Sequence, residues 1–278
     1  MREITRENLD KKMSLMNRRP ADSYKNSFGR VLVMAGSPGM AGAAVLCGSA
    51  ALRTGSGLVR YCVPVEIRDV LQIAVPEATC LPRTGDTLQG TFEAMAVGPG
   101  LGTDEGDRGL LLKMLAEFEG TIVLDADGLN DVVRFGLQEE LRNAKPAVII
   151  TPHEGEAARL LQVERIRDRE RAVCALQENF GVTAVLKGSR TLVTDGTEIW
   201  INTNSGNPGM ATGGSGDVLT GIIASLAGQG LTPLEAAKAG VYLHGLAGDI
   251  CRDEMGESGM LAGDICRAIP KAINEISL

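Results

Sequence analysis

Aromatic side chains make up only 3% of this sequence, whereas glycine is abundant at 35 residues, a balance that suits tight helix–sheet packing and loops that come close to ligands. The chain also has no block of positive charge. Its net charge is −7 and its lysines and arginines are scattered, which excludes the electrostatic footprint of a nucleic-acid binder. An anionic ligand would have to be held by backbone amides and single cations. Paired cysteines are missing too: Cys47, Cys62, Cys80, Cys174, Cys251 and Cys266 have neither CxxC nor zinc spacing, and several read as buried reduced thiols. With no signal peptide and no long apolar span, the expected location is cytoplasmic, away from membranes. No Ser/Pro-rich linker or internal repeat divides the chain. This predicts an N-terminal segment over residues 1–29, a short helix plus a surface arm, ahead of a single domain over residues 30–278.

Short apolar runs alternate with helical stretches. "RVLVMAG", "LVRYCV", "FEAMAV", "TIVLDAD" and "AVIITP" read as strands, most followed by a helical pattern. This rhythm predicts an α/β fold, with a central, mainly parallel sheet and helices on both faces. From "TAVLKG" the rhythm changes to β-type runs without intervening helices, and Asp195-Gly196 suits a hairpin turn. Helical stretches at Asp217–Ala227, Pro233–Arg252 and from Ser258 to the end complete the pattern.

In open parallel sheets, ligands bind beyond the carboxyl ends of the strands, where loops and helix N-termini converge. "AGSPGMAGAA", "GPGLG", "DADGLN", "TPHEGE" and "LKGSR" all fall at such ends, and "GGSGD" opens a helix from the same side. Glycine amides from Gly213 to Gly216 would form an anion hole for phosphate. Asp217, expected at the first helical position, would take a proton from a hydroxyl. The bland alternative is a helix cap. Capping, however, requires none of the glycines before it.

The G-x-G-D at a helix start resembles the ribokinase-like superfamily. "AGSPGMAGAA", "VGPGLG", "VLDADGLN", "TPHEGE", "VLKGS" and "NPGMATGGSGD", in this order, resemble the ADP- or ATP-dependent NAD(P)H-hydrate dehydratases from about Arg30 to Ile269. That family repairs hydrated NADH and NADPH. The resemblance implies phosphorylation of the C6 hydroxyl of the (6S) hydrate and elimination of phosphate. It points to the stand-alone type, with ADP as preferred donor and no room for a fused epimerase domain. It also implies Mg²⁺, a homotetramer, and a functional pairing with an NAD(P)H-hydrate epimerase.

Residue by residue, the resemblance makes Asp217 the base, with Gly213, Gly214 and Gly216 as anion hole. It assigns substrate contacts to Ala43, Gly102, His153 and Asp217. Nucleotide contacts fall at Lys187, Gly188, Ser189, Arg190, Thr191 and Gly216. Asp127 and Asn130, beside Asp125 in "DADGLN", lie on a phosphate or metal side, and a helix cap is the competing reading of that run. Glu156 matches the glutamate of the superfamily's metal-ordering N-x-x-E motif. His153 replaces the Asn of that motif, and Glu156 would equally suit a helix's first turn. Asn207 and Met210 would shape the cleft, whereas His244 lies within a helix and reads as a packed histidine. Two rivals remain: a kinase of a small alcohol, of hydroxymethylpyrimidine or thiazole type, and a non-enzymatic nucleotide sensor.

Overall fold

Strand residues alternate between two cores. Val31, Val33, Val59, Val123 and Val185 share one cluster with four long helices, while Leu32, Met34, Ile122, Ile150 and Leu186 share the other. Both faces of the sheet are therefore apolar, which is why its strands read as unbroken hydrophobic runs. The computed structural model describes residues 1–16, 18–84 and 90–277. Asn17, within the expected arm, and Leu278, at the end of the expected last helix, lie outside the described residues.

After the short strand β1 (Arg2–Glu3), the chain forms β2 (Arg30–Met34), α1 (Ala41–Arg53), β3 (Leu58–Val63), α2 (Val65–Ala74) and β4 (Thr79–Pro82). Next come β5 (Ala94–Val97), α3 (Asp107–Glu117), β6 (Thr121–Leu124), α4 (Ala126–Arg134), α5 (Gln138–Arg142) and β7 (Ala147–Ile150). The second half holds α6 (Glu154–Leu160), α7 (Arg169–Phe180), β8 (Thr183–Leu186), β9 (Leu192–Thr194) and β10 (Ile199–Ile201). It ends with α8 (Ser215–Gly228), α9 (Pro233–Met255) and α10 (Ala262–Ser277). The sheet order is β1-β10-β9-β8-β7-β6-β5-β2-β3-β4, parallel except where β9 meets β8 and β10. Helices α1, α2 and α8–α10 cover one face, and α3–α7 the other. The mainly parallel, doubly covered sheet is thus as expected.

The antiparallel β9–β10 pair turns at Asp195 and Gly196, with Gly196 at φ +95° and the Asp195 carboxylate accepting from Thr197 N–H at 3.0 Å. Three elements depart from the sequence reading. The arm forms 3₁₀ turns at Arg6–Asn8, Lys11–Leu15 and Lys25–Phe28, not an α-helix. Its apolar stripe is too thin to support a longer helix. Ile4 and Met13 are buried in the core, Leu9 and Met16 pack half-buried against it, and β1 pairs with β10. Strand β4, a half-exposed edge ending in proline, is not in the sequence reading. Nor is helix α7, whose start Asp168 caps and which Gly181 ends in the left-handed region.

Among the described residues, no helix is long and apolar enough to cross a membrane.

Candidate active site

The parallel strands β2, β5, β6, β7 and β8 end on one rim, and the expected loops meet there. Helix α8 brings in the glycine run. Gly214 is its N-cap, in the left-handed conformation at φ +90°, where a side chain would be strained and would strike Leu46. Gly214 is therefore demanded by the fold. Gly213 is not: a Cβ there would meet no atom within 4 Å, so it leaves open space beside the helix start. The first intrahelical donor is Val218 N–H, to Gly214 O at 3.1 Å, so the amides of Gly214, Gly216 and Asp217 have no partner within the helix. Ser215 N–H turns back to Thr212 O at 3.3 Å, which removes it from the expected anion hole.

Asp217 is the third residue of α8, not the first. Its carboxyl is half-buried and pushed up to about 7, chiefly by burial and next by the charge of Asp125. Lys187 pulls in the opposite direction, while Asp127 and Glu156 add to the rise. Such a group changes protonation near neutral pH and can accept a proton from a bound hydroxyl.

Lys187, at the end of β8, is already paired. Its Nζ donates to Asp125 Oδ1 at 2.5 Å and lies 3.8 Å from Glu156 Oε2. Burial alone would lower its pKa, but the attraction of Asp125 and Glu156 outweighs that and holds it raised. Asp125 is fully buried, and its Oδ2 accepts from Thr220 Oγ1 of α8 at 2.7 Å. The capping reading of Asp125 fails, since its side chain makes no cap hydrogen bond. Gly216 marks the close approach of α8 to this pair: a Cβ there would lie 3.3 Å from Lys187 Nζ and 3.7 Å from Asp125 Oδ2.

Ala126, between the two aspartates, has φ +48°, a left-handed conformation that is unusual for a residue with a side chain. On either side of it the carboxylates serve different loops. Asp125 faces Lys187, whereas Asp127 Oδ2 accepts from Gly102 N–H at 2.9 Å and its Oδ1 accepts from Asn130 at 3.3 Å. Asn130 in turn accepts from Arg159 at 3.1 Å. Asp127 and Asn130 thus sit beside the Gly98–Gly102 loop, where Ala43, in the first turn of α1, packs beneath Gly100.

His153 is exposed and caps α6. Its Nδ1 accepts from Gly155 N–H at 3.0 Å, which leaves the ring proton of the neutral form on Nε2, facing Glu156 Oε1 at 3.4 Å. Glu156 completes the capping box, accepting from His153 N–H at 2.8 Å, so its helix-start role is met. Ser189 and Arg190 are exposed in the loop after β8, and Thr191 Oγ1 donates to Gly188 O at 2.9 Å. His244 is buried and lowered to about 4 by burial, hence neutral, with Nε2 3.3 Å from Ser215 Oγ. It is the packed histidine expected. Asn207 caps a 3₁₀ turn at Pro208–Met210 and is anchored through Nδ2 to Asp249 Oδ1 at 3.0 Å.

Sequence reasoning missed Thr220 and also Arg83. The Arg83 guanidinium donates to the carbonyls of Gly36 at 3.3 Å and Leu101 at 3.2 Å, tying two glycine loops together. It forms a buried ion pair with Asp107, Nε to Oδ1 at 2.7 Å. Removing one partner of such a pair strands a buried charge. Arg83→Leu is therefore expected to lower unfolding free energy by about 3–5 kcal/mol in a denaturant titration. The double variant Arg83→Leu/Asp107→Leu should recover most of that loss, whereas equal losses in both would rule out a stranded Asp107 as the cause.

A profile of the NAD(P)H-hydrate dehydratase family matches residues 31–271. The ADP-dependent (S)-NAD(P)H-hydrate dehydratase of Neisseria meningitidis serogroup B is 43% identical over 271 residues, covering 93% of this chain and 90% of that protein. The bifunctional NAD(P)H-hydrate repair enzyme of Moorella thermoacetica is 38% identical over 95% of this chain, which spans 52% of the longer protein. The chain thus covers about half the length of the bifunctional relatives it matches. In structure, it superposes on the ADP/ATP-dependent NAD(P)H-hydrate dehydratase of Bacillus subtilis, co-crystallised with ATP and Mg²⁺, with a TM-score of 0.85. That match has 27% identity and covers 99% of this chain and 98% of the other.

Proposed function

The chain belongs to the NAD(P)H-hydrate dehydratase family, and from that membership we propose that it restores NADH and NADPH from their (6S) hydrates, using ADP or ATP as phosphoryl donor. The observation that carries the mechanism is Asp217, a carboxyl raised to about 7 beside helix amides that have no intrahelical partner. Asp217 takes the proton of the C6 hydroxyl as that oxygen attacks the terminal phosphoryl group, and the nucleotide leaves one phosphate shorter. The amides of Gly214 and Gly216 stabilise the transferring group. Phosphate is a far better leaving group than hydroxide. The ring nitrogen lone pair expels it, and loss of a proton from the adjacent ring carbon restores the dihydropyridine.

In this reading Lys187, Gly188, Ser189, Arg190, Thr191 and Gly216 contact the nucleotide, and Ala43, Gly102 and His153 the hydrate. The site also fits Mg²⁺. Asp125, Glu156 and Asp217 surround one ammonium, Lys187, so hard oxygen donors outnumber the cation. Among the described residues, no group of three or more His, Cys, Asp or Glu is placed to hold a metal alone. The ion would therefore enter with the nucleotide phosphates, with Glu156, Asp127 and Asn130 on its side, and would offset phosphate charge. A cytoplasmic homotetramer acting beside an NAD(P)H-hydrate epimerase, with residues 30–278 as its catalytic domain, extends this reading by family resemblance.

The test is to mix the protein with hydrated NADH or NADPH and either ADP or ATP, following absorbance of the reduced nicotinamide and release of phosphate. Recovery of absorbance with stoichiometric phosphate is expected, faster with ADP. Phosphorylated hydrate without recovered absorbance would point instead to a small-alcohol kinase. Nucleotide binding without turnover would point to a sensor.

A further inference from the structure

The loop from Lys187 to Thr191 has no regular secondary structure, yet it follows a strand that ends on the rim. Something other than a hydrogen-bonded ladder has to hold its shape. Lys187 N–H donates to Pro152 O at 2.9 Å and Asn202 N–H to Thr191 O at 2.9 Å, and between these anchors one side chain from α7 adds three hydrogen bonds. Arg169 donates through Nη1 to Arg190 O at 2.9 Å, and through Nη2 to Leu186 O at 3.2 Å and Lys187 O at 3.1 Å. Its Nε lies 3.2 Å from Glu154 Oε1, next to His153. The planar fork of a guanidinium reaches several acceptors at once, which a lysine ammonium on a flexible stem cannot reproduce.

Gly188 completes the arrangement. A Cβ built at Gly188 would lie 2.5 Å from Arg169 Nη2, inside any real contact distance. The glycine after the lysine is thus the space into which the guanidinium fits. A single side chain from outside the site therefore joins the loop after β8 to the start of α6.

We infer that Arg169 is a positioning residue that holds the Lys187–Thr191 loop in its nucleotide-binding shape and ties it to the His153–Glu156 segment. The nucleotide role of the loop rests on the function proposed above, but the test reads binding directly and needs no turnover. ADP affinity is measured by titration calorimetry with Mg²⁺ present, for the parent protein, Arg169→Gln and Arg169→Lys, alongside thermal unfolding. Arg169→Gln is expected to weaken ADP at least about tenfold, because the loop is no longer pre-organised. Arg169→Lys, which keeps the charge and part of the hydrogen bonding, is expected to fall between. In turnover assays, the KM for nucleotide should rise much more than the KM for hydrated NADH.

An unchanged ADP affinity in a folded Arg169→Gln variant would overturn the inference. So would KM values for both substrates that rise together in step with a lowered melting temperature, since that pattern belongs to a purely structural residue. If Arg169→Gln does not fold cooperatively, Arg169→Lys replaces it: weakened ADP binding in the folded lysine variant supports the inference, and unchanged binding overturns it. If the parent protein binds ADP but fails to restore NADH, the function proposed above fails while this inference stands.

Discussion

Asp217→Asn should lower kcat by about 10²–10⁴-fold, the range typical of a lost general base, while ADP binding is kept. The amide fills the same space and donates or accepts as needed, but it cannot take the hydroxyl proton. With the parent protein, kcat/KM should rise with pH and level off above about 7, because the carboxyl must be ionised to act and burial holds it at about 7. Below that value the rate should fall roughly tenfold per pH unit. The same shift has a stability consequence of opposite sense. A carboxyl raised by folding favours the protonated folded state, so its contribution is fully present below the unfolded value and disappears as pH rises through about 7. Asp217→Asn should therefore melt at a higher temperature than the parent at pH 8, with the difference vanishing near pH 4. A variant that melts lower at pH 8, or that turns over at the parent rate, would remove Asp217 from the role proposed for it.

Lys187→Met is the second large effect expected, and it combines stability with chemistry. The lysine is the partner of a carboxylate with almost no solvent exposure, Asp125, and the pair is held at 2.5 Å. Truncating it leaves that charge buried, a loss of about 3–5 kcal/mol for this kind of pair. Lys187 also pulls the Asp217 carboxyl down against its burial. Without it, the acid limb of the pH–rate profile should move above 7, and nucleotide binding should weaken. Lys187→Met/Asp125→Asn separates the two effects: unfolding free energy should largely return, while activity should not. If the double variant regained both, Lys187 would be only the counter-ion of Asp125. Lys187→Arg is not a conservative control, since a guanidinium is bulkier than the ammonium beside Gly216, where space is already tight.

Much of this molecule is legible along the chain because the signals are local. Strands covered on both faces read as apolar runs, and Asp195-Gly196 marks its hairpin. A helix start preceded by glycines and carrying a carboxylate marks Asp217, because spacing within one turn needs no tertiary information. Helix α7 carries local signals too, although the sequence reading has no helix there: Ala172, Val173, Leu176 and Phe180 recur at helical spacing between a capping aspartate and a terminating glycine. What could not be read is any pairing between loops.

The sequence by itself determined the doubly covered sheet, the rim on which the strand-end loops converge, and the segments that reach it. Each of these follows from patterns shorter than one element. Only the tertiary structure decided what those segments do to one another. The strand order places β6 beside β7 and β7 beside β8, so Lys187 meets Asp125 across 62 residues and its charge is balanced before any ligand arrives. It also separates glycines that look alike, since Gly214 is needed for its left-handed backbone, Gly216 for close approach, and Gly213 for neither. Arg83 and Arg169 stay unremarkable in sequence because they donate to backbone carbonyls, which every residue has, and meet carboxylates that only the fold brings beside them.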